Sequence, residues 1–379
     1  MMKVIDKQFT KEILLSTAFV LVALVALFAF FDLINQMEDV GTEYTLGTAF
    51  LLTSLTLPSR IYEVMPLAVL LAAVYTMARW AAKSEFTVLR VAGMSPVRLA
   101  RALLLPGVLL VVLTYGFGEV VAPWAARYTI EVKSGDKNDT VSARGYVSGV
   151  WVRDLAQNHE GKPVDRYINV KNLSASNMSA TGAWRMFEFN REGKLLRMIH
   201  ADSASFHPGK GWQLHKAVTV TYPAFDPKDT KPIEAKIITS APEELYLETT
   251  VGPEILGVMT TKPENMSMRD LDRYLAHITK TNQQAEHYQI AFWSKATYPL
   301  AIIVMLALSM PFAYLNARSG GVAVKIFLGV MIGIAFYALN NLFSYLGIVN
   351  TWSPIAVSIT PSAVMLLLAA LALCYVERR

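Results

Sequence analysis

Six long apolar runs, three before residue 130 and three after residue 288, decide what this chain can fold into. About 20 residues carry a helix across the hydrocarbon core of a bilayer, and each run reaches that length. The first covers residues 13–34. It is too long for the apolar core of a signal peptide and no small-residue cleavage site follows, so it predicts an uncleaved membrane helix. The second covers 46–82, too long for one straight crossing, and Pro58 and Pro66 interrupt it with Arg60 and Glu63 between them. An interfacial lead-in and then a kinked helix from about 58 to 82 are expected. The third runs from about 97 to 122, and the last three cover about 289–315, 322–346 and 353–376.

Between the third and fourth runs the character changes. Segments beginning at Trp151, Tyr167 and Trp184 carry short, partly alternating β patterns. Residues 190–193 (Asn-Arg-Glu-Gly) predict a hairpin turn, and 219–222 predict another strand. Turn signals every 8–12 residues point to a small all-β domain, sandwich or jelly roll. A polar helix over about 267–285, with Leu271, Leu275 and Ile278 on one side, follows. The expected architecture is a helical membrane protein, six spans arranged three plus three, with an inserted jellyroll-like all-β domain. Residues 1–130 hold the first three spans and a short cytoplasmic helix near 84–92. Residues 131–262 form the β domain, 263–288 a connecting helix, and 289–379 the last three spans.

A net charge of +5 invites a nucleic-acid reading, but the cations flank the apolar runs. Lys3, Lys7 and Lys11 precede the first; Arg79, Lys83, Arg90, Arg98 and Arg101 lie between the second and third. Arg318 and Lys325 lie between the fourth and fifth, and Arg378 and Arg379 end the chain. The opposite short loops, 32–47 and 347–352, hold no Lys or Arg. By the positive-inside rule both termini face the cytoplasm and the β domain lies on the far side of the membrane, with no nucleic acid as partner. The single cysteine, Cys374, excludes a disulfide framework and reads as a small buried apolar residue.

Catalytic signatures are missing. The chain has no G-x-x-x-x-G-K-[ST], no H-E-x-x-H and no G-x-S-x-G, and its six histidines show no convincing ligand spacing. No catalytic residue, metal or cofactor is assigned, and an enzyme is not expected.

One cytoplasmic segment stands out, residues 83–96 (Lys-Ser-Glu-Phe-Thr-Val-Leu-Arg-Val-Ala-Gly-Met-Ser-Pro). Ser84 is placed to cap a helix with Glu85 in its first turn, where the dipole favours an acid. Gly93 is placed to end it in left-handed geometry. Two turns do not hold alone in water, and the pattern exposes Phe86, Leu89 and Val91. A docking helix for a cytoplasmic partner and an ordinary interfacial linker both fit.

The run from Pro66, Ser84-Glu85, Val91-Ala-Gly-Met-Ser95, Glu119-Val-Val-Ala-Pro123, Phe187-Glu-Phe-Asn190 and Tyr288–Lys295 followed by Pro299-Leu300 resemble, in order and along nearly the whole chain, the LptF/LptG family of lipopolysaccharide export permeases. Gly149-Val-Trp151 and the Tyr288–Lys295 stretch are more similar to the LptG branch. The resemblance implies a heterodimer with an LptF-like permease, a dimer of an LptB-like ATPase and a membrane-anchored LptC-like jellyroll protein. It further implies lipopolysaccharide as cargo, drawn from the outer leaflet of the inner membrane. The segment Ser84, Glu85, Phe86, Leu89, Arg90 and Gly93 would be the coupling helix in an ATPase groove. Glu85 would pair with a basic residue there, and the first and fifth spans would form lateral gates. Some family members carry a lysine near the outer end of the first span; this chain has Ala29 there and Asp32 nearby.

Lipid A carries phosphates and acyl chains, so its site needs cations at outer-leaflet level. Arg60, Arg127 and Lys133 fall at that level, and arginine binds phosphate strongly and often bidentately. Snorkelling or an Arg60–Glu63 pair is the other reading. Asn340 and Asn341, with Gly329 and Gly333, suit a dimer seam or gate, or plain helix packing. The expected function is a permease subunit of an ATP-driven lipopolysaccharide exporter. The LptF-like paralogue and a membrane-anchored scaffold are the alternatives.

Overall fold

The computed structural model describes residues 2–41, 45–135, 149–157, 163–171, 173, 179–222, 245–259, 261–281, 285–314 and 321–377. Arg318, Arg378 and Arg379, counted above among the flanking cations, lie outside them. The first part of the chain forms α1 (Met2–Met37), α2 (Leu46–Ala82), α3 (Glu85–Val91), α4 (Pro96–Gly116), a π-helical turn (Phe117–Val121) and α5 (Ala122–Gly135). Among the described residues nine strands follow: β1 (Val150–Gln157), β2 (Pro163–Val170), β3 (Ala180–Thr181), β4 (Trp184–Phe189), β5 (Leu195–Ala201), β6 (Ser203–His207), β7 (Gly211–His215), β8 (Val218–Thr221) and β9 (Leu245–Leu247). The chain continues through α6 (Pro253–Met259), α7 (Met268–Lys280), α8 (Glu286–Thr297), α9 (Ala301–Ser309), α10 (Pro311–Tyr314), α11 (Val322–Val349) and α12 (Pro354–Glu377). Two compact units result, residues 1–125 with 286–379, and residues 126–285.

Among the described residues, six stretches are long and apolar enough to cross a membrane: Asp6–Met37, Leu46–Ala82, Pro96–Val132, Glu286–Tyr314, Val322–Val349 and Pro354–Glu377. The break expected in the second run does not occur, because α2 continues for 37 residues through both prolines. Membrane helices tolerate proline where hydroxyls and neighbouring helices satisfy the disturbed backbone. Thr53, Ser54 and Thr56, just before Pro58, each donate to a carbonyl of their own helix at 2.8–2.9 Å. The third run also outlasts its expected end, passing through the π turn into α5. Prolines shape the fourth, where Pro299 lies in a short 3-10 turn and Pro311 starts α10.

Helix α2 is the hub of this unit: 72% of its most apolar stretch is buried, against 11% for α1. Met65, Val69, Leu70, Ala73 and Met77 of α2 share one core with Leu99 and Leu103 of α4 and Ile302, Met305 and Leu306 of α9. Gly329 and Gly333 of α11 lie against Val74 and Leu67 of α2, where added side chains would crowd them. That small-residue pair therefore serves packing within the chain. Cys374 is exposed, contrary to the buried reading, because the outer surface of a membrane-facing helix is itself apolar.

In the β unit, two antiparallel sheets, ordered β1-β2-β4-β5-β8 and β3-β6-β7-β9, share one apolar core. Trp184 and Trp212 meet at its centre with ring centroids 4.9 Å apart. Their indole N–H groups donate to Thr181 Oγ1 and to the Val251 carbonyl. The expected turn after β4 is present: Gly193 takes φ +75°, and the Lys194 N–H donates to Asn190 Oδ1 at 2.7 Å. Helix α7 is capped by Ser267 and buries Leu271, Tyr274, His277 and Ile278.

The core of this unit also contains charge. Asp154, Arg166, Glu188 and Arg197 stand directly opposite one another across β1, β2, β4 and β5, alternating in sign. Arg166 reaches Glu188 at 2.9 Å and Asp154 at 3.5 Å, and Arg197 reaches Glu188 at 2.8 Å. Thr249 and Thr250 each donate to Asp154 at 2.6 Å, while Arg166 donates to the Glu248 carbonyl. Buried charges are tolerable only when paired and fully hydrogen-bonded, and this row meets both conditions.

Candidate functional site

The segment expected to dock a partner forms α3, with two corrections. Ser84 does not cap it: its φ is +59°, and its side chain makes no cap hydrogen bond. The left-handed turn that brings the chain off α2 takes Ser84 out of the extended geometry a capping side chain requires. Phe86 is not exposed either. It is 2% accessible, packs edge-on against Tyr314 of α10 with centroids 4.9 Å apart, and joins the α2 core. Phe86 is thus the plug that lets seven residues stay helical, and Leu89 packs partly beside it.

The remaining side of α3 is free. Val88 and Val91 are 68% and 86% exposed, and the Glu85 carboxylate is half-exposed with Lys83 4.0 Å away. Arg90 lies over the Tyr314 ring at 5.2 Å. The predicted end is present: Gly93 takes φ +91°, its N–H donates to the Arg90 carbonyl, and that of Met94 to Leu89. This double bond pattern is the Schellman motif.

Two charge clusters join α1 to α2. Near the amino end of α1, Glu12 accepts from Arg79 at 2.6 Å and from the Trp80 indole at 2.5 Å. Near its other end, Asp32 accepts from Arg60 through both oxygens at 2.7 and 2.9 Å, and a third Arg60 nitrogen reaches Glu63 at 2.9 Å. Arg60 and Arg79 are 19 residues apart, about 28 Å along a helix, close to the thickness of the hydrocarbon core. The clusters are therefore separated by about one hydrocarbon thickness, with α3 following the Arg79 cluster directly in the chain.

A third polar group lies toward the Arg60 end. The π turn brings Gly118 against the Tyr62 ring, where a Cβ would stand 2.6 Å from ring carbons. Glu119 of that turn lies 3.8 Å from Lys295, which is 6% exposed and stands over the Tyr62 ring at 5.9 Å. Tyr298 donates to the Glu63 carbonyl, and Tyr115 to that of Ala296. Sequence reading passed over Asp32 as the partner of Arg60 and over the Glu119–Lys295 pair. Their signal was a lone charge inside an apolar run, which needs a partner elsewhere.

Of the three candidate cargo cations, Arg60 is held by two carboxylates. Arg127 is largely exposed and pairs with Asp270 of α7 at 3.1 Å. Lys133 belongs to α5, and its side chain lies outside the described residues. Arg60 belongs to the helical unit, and Arg127 and Lys133 to the unit that holds the strands. Among the described residues no His, Cys, Asp or Glu cluster is arranged to hold a metal ion.

Among the described residues, six membrane-length helical stretches, of which α2 is the most buried, together with a separate antiparallel β unit define a multi-pass membrane protein carrying an inserted β domain. Residues 7–375 match the family of lipopolysaccharide export system permeases LptF/LptG, and the chain belongs to that family. It is 25% identical over 373 residues to the lipopolysaccharide export system permease protein LptG of Haemophilus influenzae, covering 97% of each chain. It is 26% identical to the protein of the same name from Escherichia coli K12, covering 97% of this chain and 96% of that one. These similarities agree with the LptG-like reading of the sequence.

Proposed function

We propose that this chain is the LptG-like half of a lipopolysaccharide extractor in the bacterial inner membrane, paired with an LptF-like permease. The observation that carries the reading is the family match from residue 7 to 375, which takes in all six spans and the β unit. A partner ATPase dimer of LptB type supplies the energy, and this chain supplies the membrane path. Both termini face the cytoplasm, the spans divide three plus three, and the β unit is a periplasmic jellyroll-like domain that works beside an LptC-like protein. The cation asymmetry of the loops supports that orientation.

Force enters at α3. Glu85, Val88 and Val91 offer an acid and two apolar contacts to the ATPase, while Phe86 ties the helix to α2 and α10. A push on α3 is therefore delivered to the hub of the bundle. At the opposite face a cargo phosphate exchanges with Asp32 for Arg60, since both offer paired oxygens to a guanidinium. That exchange loosens α1, the least buried span, from α2.

Glu85→Arg should abolish export while the protein still inserts and folds; normal export would overturn the coupling role. With Cys374 replaced by serine, a cysteine at position 85 should resist membrane-impermeant reagents applied outside spheroplasts, and labelling there would overturn the orientation. Photocrosslinkers at 60, 127 and 133 should capture lipopolysaccharide; no capture at any of the three would overturn the cargo contact.

A further inference from the structure

The outward face of the five-stranded sheet carries rings where solvent normally meets polar side chains. Alternation along β1, β2 and β4 sends Trp151, Tyr167, Phe187 and Phe189 to that face, opposite the core residues Val152, Ile168 and Met186. Tyr167 pairs with Phe187 across the strands, and Asp165 with Phe189. Trp151 stacks on Phe187 at 22° with centroids 5.9 Å apart, and Tyr167 meets Phe189 edge-on at 5.7 Å. The rings stay accessible, Trp151 to 50% and Tyr167 to 37%.

These rings floor a depression of about 560 Å³ whose wall is Asp165 and the β4–β5 hairpin residues Asn190, Arg191 and Gly193. Arg153 buttresses the wall, bonded to Asp165 at 2.9 Å and lying over Tyr167 at 5.9 Å. The volume is that of an ordinary ligand cleft, and a mostly apolar floor with a few placed polar groups is the usual lining of one.

We propose that this depression binds an oligosaccharide. A pyranose ring presents one face of C–H bonds, which lies on an aromatic floor, and a girdle of hydroxyls that both donate and accept. Asp165 accepts, Arg191 donates and the Asn190 amide does both. An acyl chain has no use for those three. A strand-adding peptide takes the free N–H and C=O groups of a sheet edge, whereas this floor lies across the face of three paired strands. The inference rests on the permease reading only in naming the sugar part of lipopolysaccharide as one source; a free glycan is the other.

Saturation-transfer NMR on the full-length protein in phosphatidylcholine nanodiscs tests it, with two probes: lipid-free core oligosaccharide released from lipopolysaccharide, and a neutral linear glucose hexasaccharide. Saturable transfer to ring C–H protons of at least one probe is expected, and which probe responds identifies the source. Trp151→Ala and, independently, Phe187→Ala should each cut the transfer at least tenfold, and Trp151→Phe should restore most of it. Both residues lie outside the apolar core, and unchanged melting of the β unit verifies that each variant is folded. No transfer to either sugar, or transfer undiminished in both folded alanine variants, overturns the site. Export by the assembled complex is measured in parallel. Intact export without sugar binding removes this site alone, and sugar binding without wild-type export removes the permease reading alone.

Discussion

The two units treat polar groups in opposite ways. In the helical unit, apolar side chains lie both inside and outside; Phe19 and Leu367 are 76% and 62% exposed. Three of its buried hydroxyls turn back to their own helices: Thr53, Thr76 and Thr114 each donate to the carbonyl four residues earlier at 2.7–2.9 Å. Its shortest ion pairs join α1 to α2, Arg60 to Asp32 and Arg79 to Glu12. The β unit carries four charged side chains across its inner sheet face. A helix satisfies its backbone internally and can absorb a stray hydroxyl, but a strand must share with its neighbours. Those hydroxyls are therefore satisfied within their own helices, whereas the charges of both units pair across elements.

Breaking one link of the cross-strand row should produce the largest effect. Glu188→Leu leaves Arg166 buried without its 2.9 Å partner, and removing one member of a buried pair costs about 3–5 kcal/mol. Hydrogen exchange of the β4 and β5 amides should accelerate accordingly, with the helical unit unchanged. Protection like the wild type would show that the row contributes little.

The corresponding disruption of the helical unit is steric. Gly118→Val places branched carbons where the Tyr62 ring stands, since even a Cβ comes within 2.6 Å. Overpacking of this kind costs about 1–3 kcal/mol, and the altered π turn should change Lys295 accessibility to amine reagents. Gly116→Val, two residues earlier, has open space beside it and should cost less.

Much of this was legible beforehand, for a physical reason. Six apolar runs predict six spans because length and hydropathy alone decide membrane crossing, and the Asn190–Gly193 turn follows from local backbone chemistry. What escaped is long-range. Nothing near Ser84 says that Phe86 will meet Tyr314, 228 residues away, so an aromatic anchor reads as an exposed tooth. Nothing near Arg60 names Asp32 rather than Glu63, three residues off, as its main partner. The continuity of α2 through Pro58 and Pro66 depends on packing all around it, which a rule about the isolated helix does not contain.

Acid should separate the units next. Burial pushes the Glu188 carboxyl up, but hydrogen bonds and charge from Arg197, with the charge of Arg166, outweigh it and hold it below the ordinary carboxylate value. Burial also lowers the proton affinity of His277, against opposing pulls from the Asp154 charge and the Arg153 carbonyl. In both cases the unfolded chain binds more protons, so stability rises with pH. The His277 contribution is complete above about 6.5 and fades below it; that of Glu188 fades below the ordinary carboxylate range, about 4.3. Melting of the β unit should fall in those two steps, and His277→Gln should remove the upper one.

The smallest effect is expected where polar groups are most local. Thr114→Val in α4 removes a hydroxyl that bonds only to the Leu110 carbonyl of the same helix, and that carbonyl keeps its backbone role. Hydrogen bonds inside membrane bundles average about 0.6 kcal/mol, and valine preserves the shape, so unfolding in detergent should shift by less than about 1 kcal/mol. Thr250→Val in the β unit looks equally conservative, yet it strips a 2.6 Å donor from the buried Asp154 carboxylate. An unsatisfied buried acceptor costs about 1–3 kcal/mol, more when charged, so this variant should lose clearly more. Equal losses in the pair would mean that the helical unit depends on its hydroxyls across helices after all, and the contrast between the two units would fail.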